Sequence, residues 1–297
     1  MKTLTIVSGK GGVGKSTITA SLAVLLSKSF KIVAADCDID ASNLSLALGA
    51  RKTKKTFSIS TSKKAEIIQD SCTSCGLCYA NCVFGAVLVN KDENKYKIDK
   101  YLCEGCNTCS IVCPENAIVF YSEETADITI SEADGFYVVS GQLRMGQSGS
   151  GKIVDKVKEE SEKIAKQQSA EIRIIDSAAG IGCPVVSSIH GSDYVIAVTE
   201  PTPSALSDLE RVLHTVLHFN IDYGIIINKA DLNPEFTKKL VQKYGKKIIA
   251  TISYNRTFVD SLVALTPVVN YDPSFVPLFE EIKAKIVNKL QLKQNNT

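Results

Sequence analysis

The chain has 297 residues, 44% of them apolar, enough for one large domain or a domain with a smaller companion. Its 34 basic and 32 acidic residues leave a formal charge of +2, a balance that gives no case for the basic stripe of a nucleic-acid binder or for an acidic tail. No apolar run approaches a membrane span, and the chain opens on strand-like KTLTIVS with no secretory apolar region, so the expected compartment is the cytoplasm. In that compartment the ten cysteines should stay reduced, and clustered reduced cysteines point to metal ligation before disulfides.

The first predicted element is a strand, LTIVS. It is followed by Gly9-Lys10-Gly11-Gly12-Val13-Gly14-Lys15-Ser16-Thr17 and an amphipathic run, ITASLAVLLSKS. Strand, glycine loop and helix form the setting in which a G-x4-G-K-S/T loop cradles phosphates. Glycines let backbone N–H groups face the anion, and the helix N-terminus adds its positive end. Lys15 is expected to reach the β- and γ-phosphates and Ser16 to hold magnesium, with Gly11, Gly12, Val13, Gly14 and Thr17 completing the cradle. A plain phosphate loop does not require Lys10. KGGVGKST resembles the deviant Walker A motif of the MinD, Mrp and nitrogenase iron protein superfamily. The resemblance implies an ATPase working as a nucleotide-switched homodimer, with Lys10 reaching across to the second subunit's ATP; a solvated loop lysine is the alternative. KIVAADCDIDASNL then reads as a buried strand ending in acids. The resemblance places Asp38 in switch I, orienting the attacking water. Asp36 and Asp40 are nearby carboxylates that could equally cap or face solvent, and Cys37 reads as a small buried apolar residue.

Two polar stretches, KTKKTFSISTSKK and SEETAD, are expected to be joins around a segment from 63 to 121 that carries eight of the ten cysteines. Cys72, Cys75, Cys78 and Cys82 are spaced C-x2-C-x2-C-x3-C, and Cys103, Cys106, Cys109 and Cys113 repeat the spacing, followed by Pro114. Counterparts are 31 residues apart (103 − 72, and 113 − 82), as are Ile67 and Ile98, Ala86 and Ala117, Val87 and Ile118. This internal repeat resembles the bacterial two-cluster ferredoxin. In that pattern three cysteines of one loop hold a cluster and the fourth crosses to the other. The resemblance therefore assigns Cys72, Cys75, Cys78 and Cys113 to one 4Fe–4S cluster, and Cys103, Cys106, Cys109 and Cys82 to a second. Gly76 and Gly105 suit loops wrapping a cluster. Cys82 is followed by Val83 where the family has proline; proline supplies no ligand, so the cluster is expected to survive. Zinc is the alternative, although its sites have longer gaps between cysteine pairs.

From residue 127 an α/β pattern resumes. GFYVVSGQL reads as a strand and GKIVDKVKEESEKIAKQ as an amphipathic helix, followed by short apolar strands IRIID, YVIAVTE, YGIIINK and KIIATI. Near-continuous Val/Ile runs predict parallel strands buried on both faces. By resemblance, Asp176 is the Walker B aspartate, reaching magnesium through its water, and Gly180 is the switch II glycine at the γ-phosphate. Cys183, seven residues after Asp176, stands where the nitrogenase iron protein has a cluster-ligating cysteine. The region matching that protein's second cysteine, GQLRMGQSGSGK, contains none, so Cys183 is expected to hold at most a transient metal or cluster between subunits; a reduced thiol at a helix start is the alternative. Asn228 is where the superfamily reads adenine, but Asn228-Lys229-Ala230-Asp231 also fits the guanine-reading N-K-x-D. His190, His214 and His218 read as ordinary helix residues. The C-terminal run LFEEIKAKIVNKLQLKQ carries a narrow apolar stripe, expected to pack on the sheet rather than on a membrane.

The expected fold is a doubly wound, mostly parallel α/β P-loop domain over 1–55 and 127–297, with an α+β ferredoxin module inserted at 63–121. The expected cofactors are ATP/ADP, Mg2+ and two 4Fe–4S clusters. The expected function is ATP hydrolysis coupled to electron transfer, or to iron–sulfur or metallocofactor assembly on a protein partner, with Lys10, Lys15, Asp38 and Asp176 in the catalytic roles. A non-redox iron–sulfur carrier and a MinD-like positioning switch with structural clusters are the alternatives.

Overall fold

A computed structural model describes residues 1–50, 52–147 and 150–292. The chain begins β1 (Lys2–Ser8), α1 (Lys15–Ser27), β2 (Ile32–Cys37), α2 (Leu44–Ala47) and β3 (Lys52–Ile59). Next come β4 (Lys63–Ile67), α3 (Leu77–Ala80), β5 (Val87–Asn90), β6 (Lys95–Ile98), α4 (Thr108–Ile111) and β7 (Ile118–Ser122). Then follow β8 (Ala126–Ala133), β9 (Phe136–Leu143), α5 (Ser150–Gln167), β10 (Ile172–Ala179), α6 (Cys183–Ile189), β11 (Tyr194–Thr199) and α7 (Pro203–His218). The chain continues through β12 (Asp222–Asn228), α8 (Pro234–Tyr244), β13 (Ile248–Ile252), α9 (Thr257–Val263), α10 (Val268–Tyr271) and α11 (Val276–Lys289).

The strands form a nine-stranded sheet in the order β13-β12-β11-β1-β10-β2-β9-β8-β3. Every pairing from β13 to β9 is parallel. The Val/Ile runs follow from burial on both faces. Ile6, Ile196 and Ile226 point into one core, under α1, α2 and α11, while Val7, Val195 and Ile225 point into the other, under α6, α7 and α8. The apolar side of α11 is spent on the first core through Phe279, Ile282 and Ile286, as its stripe predicts; the last two residues of that run lie outside the described residues. Among the described residues no helix is long and apolar enough to cross a membrane.

The polar joins are corrected by the structure. KTKKTFSI is strand β3 at the edge of the sheet, and Ala126-Asp127 open β8, which turns into β9 at Asp134-Gly135, both at positive φ. β3 is largely exposed, so its sequence carries no buried alternation, and its lysines keep an open edge from pairing with other chains.

By internal contacts the chain separates into two compact units. One contains Met1–Phe57, Ile128–Gln142 and the chain from Ser150; the other contains Ser58–Asp127 with the segment from Leu143. The second unit has two small antiparallel sheets, β4 with β7 and β5 with β6. The 31-residue repeat is visible in its backbone. Left-handed residues recur as Ser74 and Gly105, Gly76 and Asn107, Gly85 and Asn116, each pair 31 apart. Only one of them is sterically locked to glycine by backbone: a Cβ on Gly105 would lie 2.1 Å from the Lys63 carbonyl oxygen. Arg144 gathers the ends of the unit, donating to both carboxylate oxygens of Asp127 at 3.0 and 2.8 Å and to Ser58 Oγ at 2.8 Å, and pairing with Glu124.

Gly105→Ala should therefore cost clearly more stability than Gly85→Ala. The second change meets nothing within 4 Å and carries only the left-handed penalty, about 1–2 kcal/mol. Urea unfolding of the two variants makes the comparison, and equal losses would show that the Lys63 contact relaxes freely.

Candidate nucleotide and thiol sites

The loop between β1 and α1 leaves the carboxyl edge of the parallel sheet, where open α/β folds place ligands. Gly14 is the N-cap of α1, at φ 91°, with no side-chain cap. The first-turn N–H groups of α1 are thus available to an anion, as a phosphate cradle requires. A Cβ on Gly14 would lie 2.5 Å from Asn228 Nδ2. That amide donates to the Val13 carbonyl at 2.8 Å, and Asn228 Oδ1 accepts from the Lys229 N–H at 3.0 Å.

The structure brings Lys15, Asp38 and Asp176 together. The Lys15 side chain is 6% exposed; its ammonium lies 2.8 Å from Asp176 Oδ1, 3.9 Å from Asp38 Oδ2 and 3.3 Å from Ser16 Oγ. Thr19 Oγ1 also donates to Asp176 Oδ1, at 2.9 Å. Asp176 Oδ2 is buried without a hydrogen-bond partner. An orphaned carboxylate oxygen on Asp176, with the Ser16 hydroxyl on the same ammonium, suits a hydrated magnesium ion.

Asp36 lies next to Asp176 in the parallel register and is fully buried. It organises the loop after β2, accepting from Ser42 Oγ at 2.7 Å, Leu44 N–H at 2.9 Å and Asp38 N–H at 3.1 Å. Burial first, then the Asp176 charge, push its carboxyl up to about 7. Asp38 is half-buried and also raised, by burial, with Lys15 opposing. Asp40 is exposed. Cys37 is buried, and burial pushes its thiol up to about 12. Gly180 has φ 100° and its N–H donates to the Ser8 carbonyl at 2.9 Å, which holds the strand end of β10 against the start of the loop.

Lys10 has a partner the sequence did not reveal. Its ammonium lies 3.1 Å from Glu200 Oε1, and Glu200 Oε2 takes Lys229 at 3.1 Å. Lys229 also donates to the Gly12 carbonyl at 3.0 Å. The two lysines hold the Glu200 carboxyl below its usual range despite burial. Glu200 follows a strand and no spacing motif marks it. Cys183 is exposed at the first position of α6, against Gly151.

In the second unit all eight cysteines are free thiols, as are the other two in the chain. Among the described residues no group of three or more His, Cys, Asp or Glu side chains could hold a single metal ion. The thiols instead line two small cavities, each of about 20 Å³. Cys72, Cys75, Cys78 and Cys113 line one; Cys82, Cys103, Cys106 and Cys109 line the other. The loop thiols and the thiol from the opposite half are brought together by α3 and α4, which carry Cys78 and Cys109. Backbone N–H groups aim at the crossing sulfurs, Ala86 at Cys82 and Ala117 at Cys113, each at 3.3 Å. Ala65 N–H lies 3.5 Å from Cys103 Sγ. Such donors favour sulfur carrying negative charge, so four thiolates per cavity fit an iron–sulfur cluster chemically.

Comparison with known proteins places these features. The profile of the CobQ/CobB/MinD/ParA nucleotide binding domain matches residues 4–267. An uncharacterised protein of Methanocaldococcus jannaschii is 40% identical over 77% of this chain and 79% of its own length. One component of the F(420)H(2) dehydrogenase of Methanosarcina mazei is 37% identical over 28% of this chain and 29% of its own. The MinD of Pyrococcus horikoshii, solved with Mg-ADP, shares the fold with a TM-score of 0.58 at 19% identity, covering 96% of this chain and 95% of that one.

The raised Asp36 carboxyl has a pH signature. Its folded value lies above the unfolded 3.8, so its contribution to stability is full below that value and is lost as pH rises through about 7. Asp36→Asn should flatten this fall between about pH 4 and 7 in urea midpoints of the nucleotide-free protein. A variant that keeps the wild-type slope would place the titration elsewhere.

Proposed function

The chain belongs to the CobQ/CobB/MinD/ParA nucleotide-binding family, and we propose that it is an ATP-hydrolysing iron–sulfur protein. In this reading it is a nucleotide-switched homodimer that couples hydrolysis to electron transfer, or to iron–sulfur or metallocofactor assembly, on a protein partner. The observation that carries the proposal is the presence in one chain of the Lys15–Asp176 centre and two cavities of four thiols. Similarity of part of the chain to a dehydrogenase component supports the redox side.

Each residue then has a task that its surroundings permit. Lys15 transfers its ammonium from Asp176 to the β- and γ-phosphates. Ser16 and the unpartnered Asp176 oxygen hold magnesium and its water. Asp38, 3.9 Å from the Lys15 ammonium, orients the attacking water, and Gly180 reports the γ-phosphate. Lys10 exchanges Glu200 for the nucleotide of the second subunit, and Asn228, fixed to the loop through Val13, meets the adenine. In the inserted module, Cys72, Cys75, Cys78 and Cys113 hold one 4Fe–4S cluster, and Cys103, Cys106, Cys109 and Cys82 the second. Bound clusters would supply one-electron storage at low potential.

Two experiments test this. Protein purified without oxygen should contain about eight irons per chain. Cys78→Ala and Cys113→Ala should damage the same cluster; loss of the cluster at Cys103, Cys106 and Cys109 in the Cys113 variant would reverse the ligand sets. Iron passed to an acceptor without redox cycling would make the chain a carrier instead. For the nucleotide side, Lys15→Ala should lower ATP affinity by at least about a hundredfold, roughly 2.7 kcal/mol. Lys10→Ala should keep affinity and slow hydrolysis at least about tenfold, with loss of ATP-dependent dimers. Equal affinity losses in the two variants would remove the cross-subunit role, and faster GTP than ATP turnover would overturn the reading of the base site.

A further inference from the structure

We propose that Lys64 and Thr108 make the two cluster sites electrically unequal, so that the site of Cys82, Cys103, Cys106 and Cys109 has the higher reduction potential and takes the first electron. The inference rests on the proposed reading that both cavities hold 4Fe–4S clusters. Lys64 lies on β4 and its side chain is 1% exposed. Its ammonium donates to the Cys103 carbonyl oxygen at 2.7 Å; no ion pair to it is present among the described residues, although Glu123 is near enough to feel its charge. A buried cation is thus fixed beside one ligand of one site. Thr108 Oγ1 lies 3.4 Å from Cys106 Sγ. A metal-bound thiolate can only accept, so the hydroxyl donates to it.

The repeat supplies an internal control. The equivalent of Lys64 in the other half is Lys95 (95 − 64 = 31), which is 59% exposed and lies 3.6 Å from the Glu93 carboxylate. The equivalent of Thr108 is Leu77 (108 − 77 = 31), which has no hydroxyl. The bonds from Ala86 to Cys82 and from Ala117 to Cys113 have the same length, 3.3 Å, and cancel between the sites. Glu104 lines one cavity and Glu115 the other, one carboxylate each; what remains is one buried positive charge and two donors, the Thr108 hydroxyl and the Ala65 N–H 3.5 Å from Cys103 Sγ, all on the same side. Reduction adds one negative charge to a cluster without moving an atom, and a nearby cation or donor in a poorly screened interior favours that charge. The exposed Lys95 charge is screened by water and by its carboxylate.

The test is a one-electron reductive titration of the anaerobically purified chain, followed by EPR, beside an iron analysis. Two midpoint potentials should separate by at least about tenfold in electron partition, about 59 mV for a one-electron couple. Cys75→Ser, which alters only the other site, should change the lower one and so assign them. Lys64→Gln should lower the higher potential by about tenfold in partition, Lys64→Arg should preserve it, and Lys95→Gln should leave both unchanged. Should Lys64→Gln not fold, Thr108→Val and the wild-type separation still decide the matter. Coincident wild-type potentials, a Cys75→Ser change in the higher potential, or unmoved potentials in a folded Lys64→Gln would overturn the assignment while leaving the clusters in place. A chain without cluster iron would overturn the underlying reading as well, and the iron analysis separates the two failures.

Discussion

Two carboxylates, Asp36 and Asp176, face each other as register partners on neighbouring parallel strands, both out of contact with water, and the ammonium of Lys15 offsets them. Much of the larger unit is arranged around this imbalance. The strand order seats β1 beside β10 and β10 beside β2, so the lysine at the start of α1 and the two acids share one edge of the sheet. At the 3.9 Å between Lys15 and Asp38 an effective dielectric of about 20 gives an attraction of about 4 kcal/mol before the cost of desolvation. Asp36 responds by taking up a proton more readily, and Thr19 adds a donor to Asp176. The unpartnered Asp176 oxygen is what this arrangement leaves unsatisfied, and it is the atom best placed to receive a cation.

The smaller unit meets a different constraint. Two short halves of one repeat have too little apolar material for separate cores, so they share one, formed from Ala65, Ile67, Ala86, Val87 and Ile118 with Cys78 and Cys103 among them. The strands pair across the repeat rather than within it: β4, before the first quartet, with β7, after the second, and β5 with β6 between them. That exchange is also what brings the fourth thiol of each half to the cavity of the other.

How much of this was legible in the sequence depended on how local the signal is. The glycine loop with Lys15, the buried strand carrying Asp176 and the cysteine repeat are carried by fixed spacings within short windows, and they could be read directly, although β10 runs on past Asp176 to Ala179. The parallel sheet followed from continuous Val/Ile runs. β3 was not legible, because an exposed edge strand has no buried face to impose alternation and its lysines resemble a solvated join. Glu200 was not legible, because its value comes from two lysines 190 and 29 residues away. Asn228 was visible only as a residue at a strand end; its bond to Val13 spans 215 residues. Lys64 sits in a lysine pair that reads as surface charge, and only the fold shows that one of the two is buried.

The sharing of Glu200 has a kinetic meaning. Lys10 is largely solvated, its side chain 43% exposed, so its bridge to Glu200 is open to ions and weak, worth about 0–1 kcal/mol. When it breaks, the carboxylate is not stranded, because Lys229 remains on its other oxygen and still ties the Gly12 carbonyl. The loop would therefore keep its shape with the Lys10 bridge broken. Departure requires no buried charge to be left alone, and its barrier falls as salt rises. Glu200 thus holds the Lys10 ammonium near the phosphate loop in a contact that costs little to release.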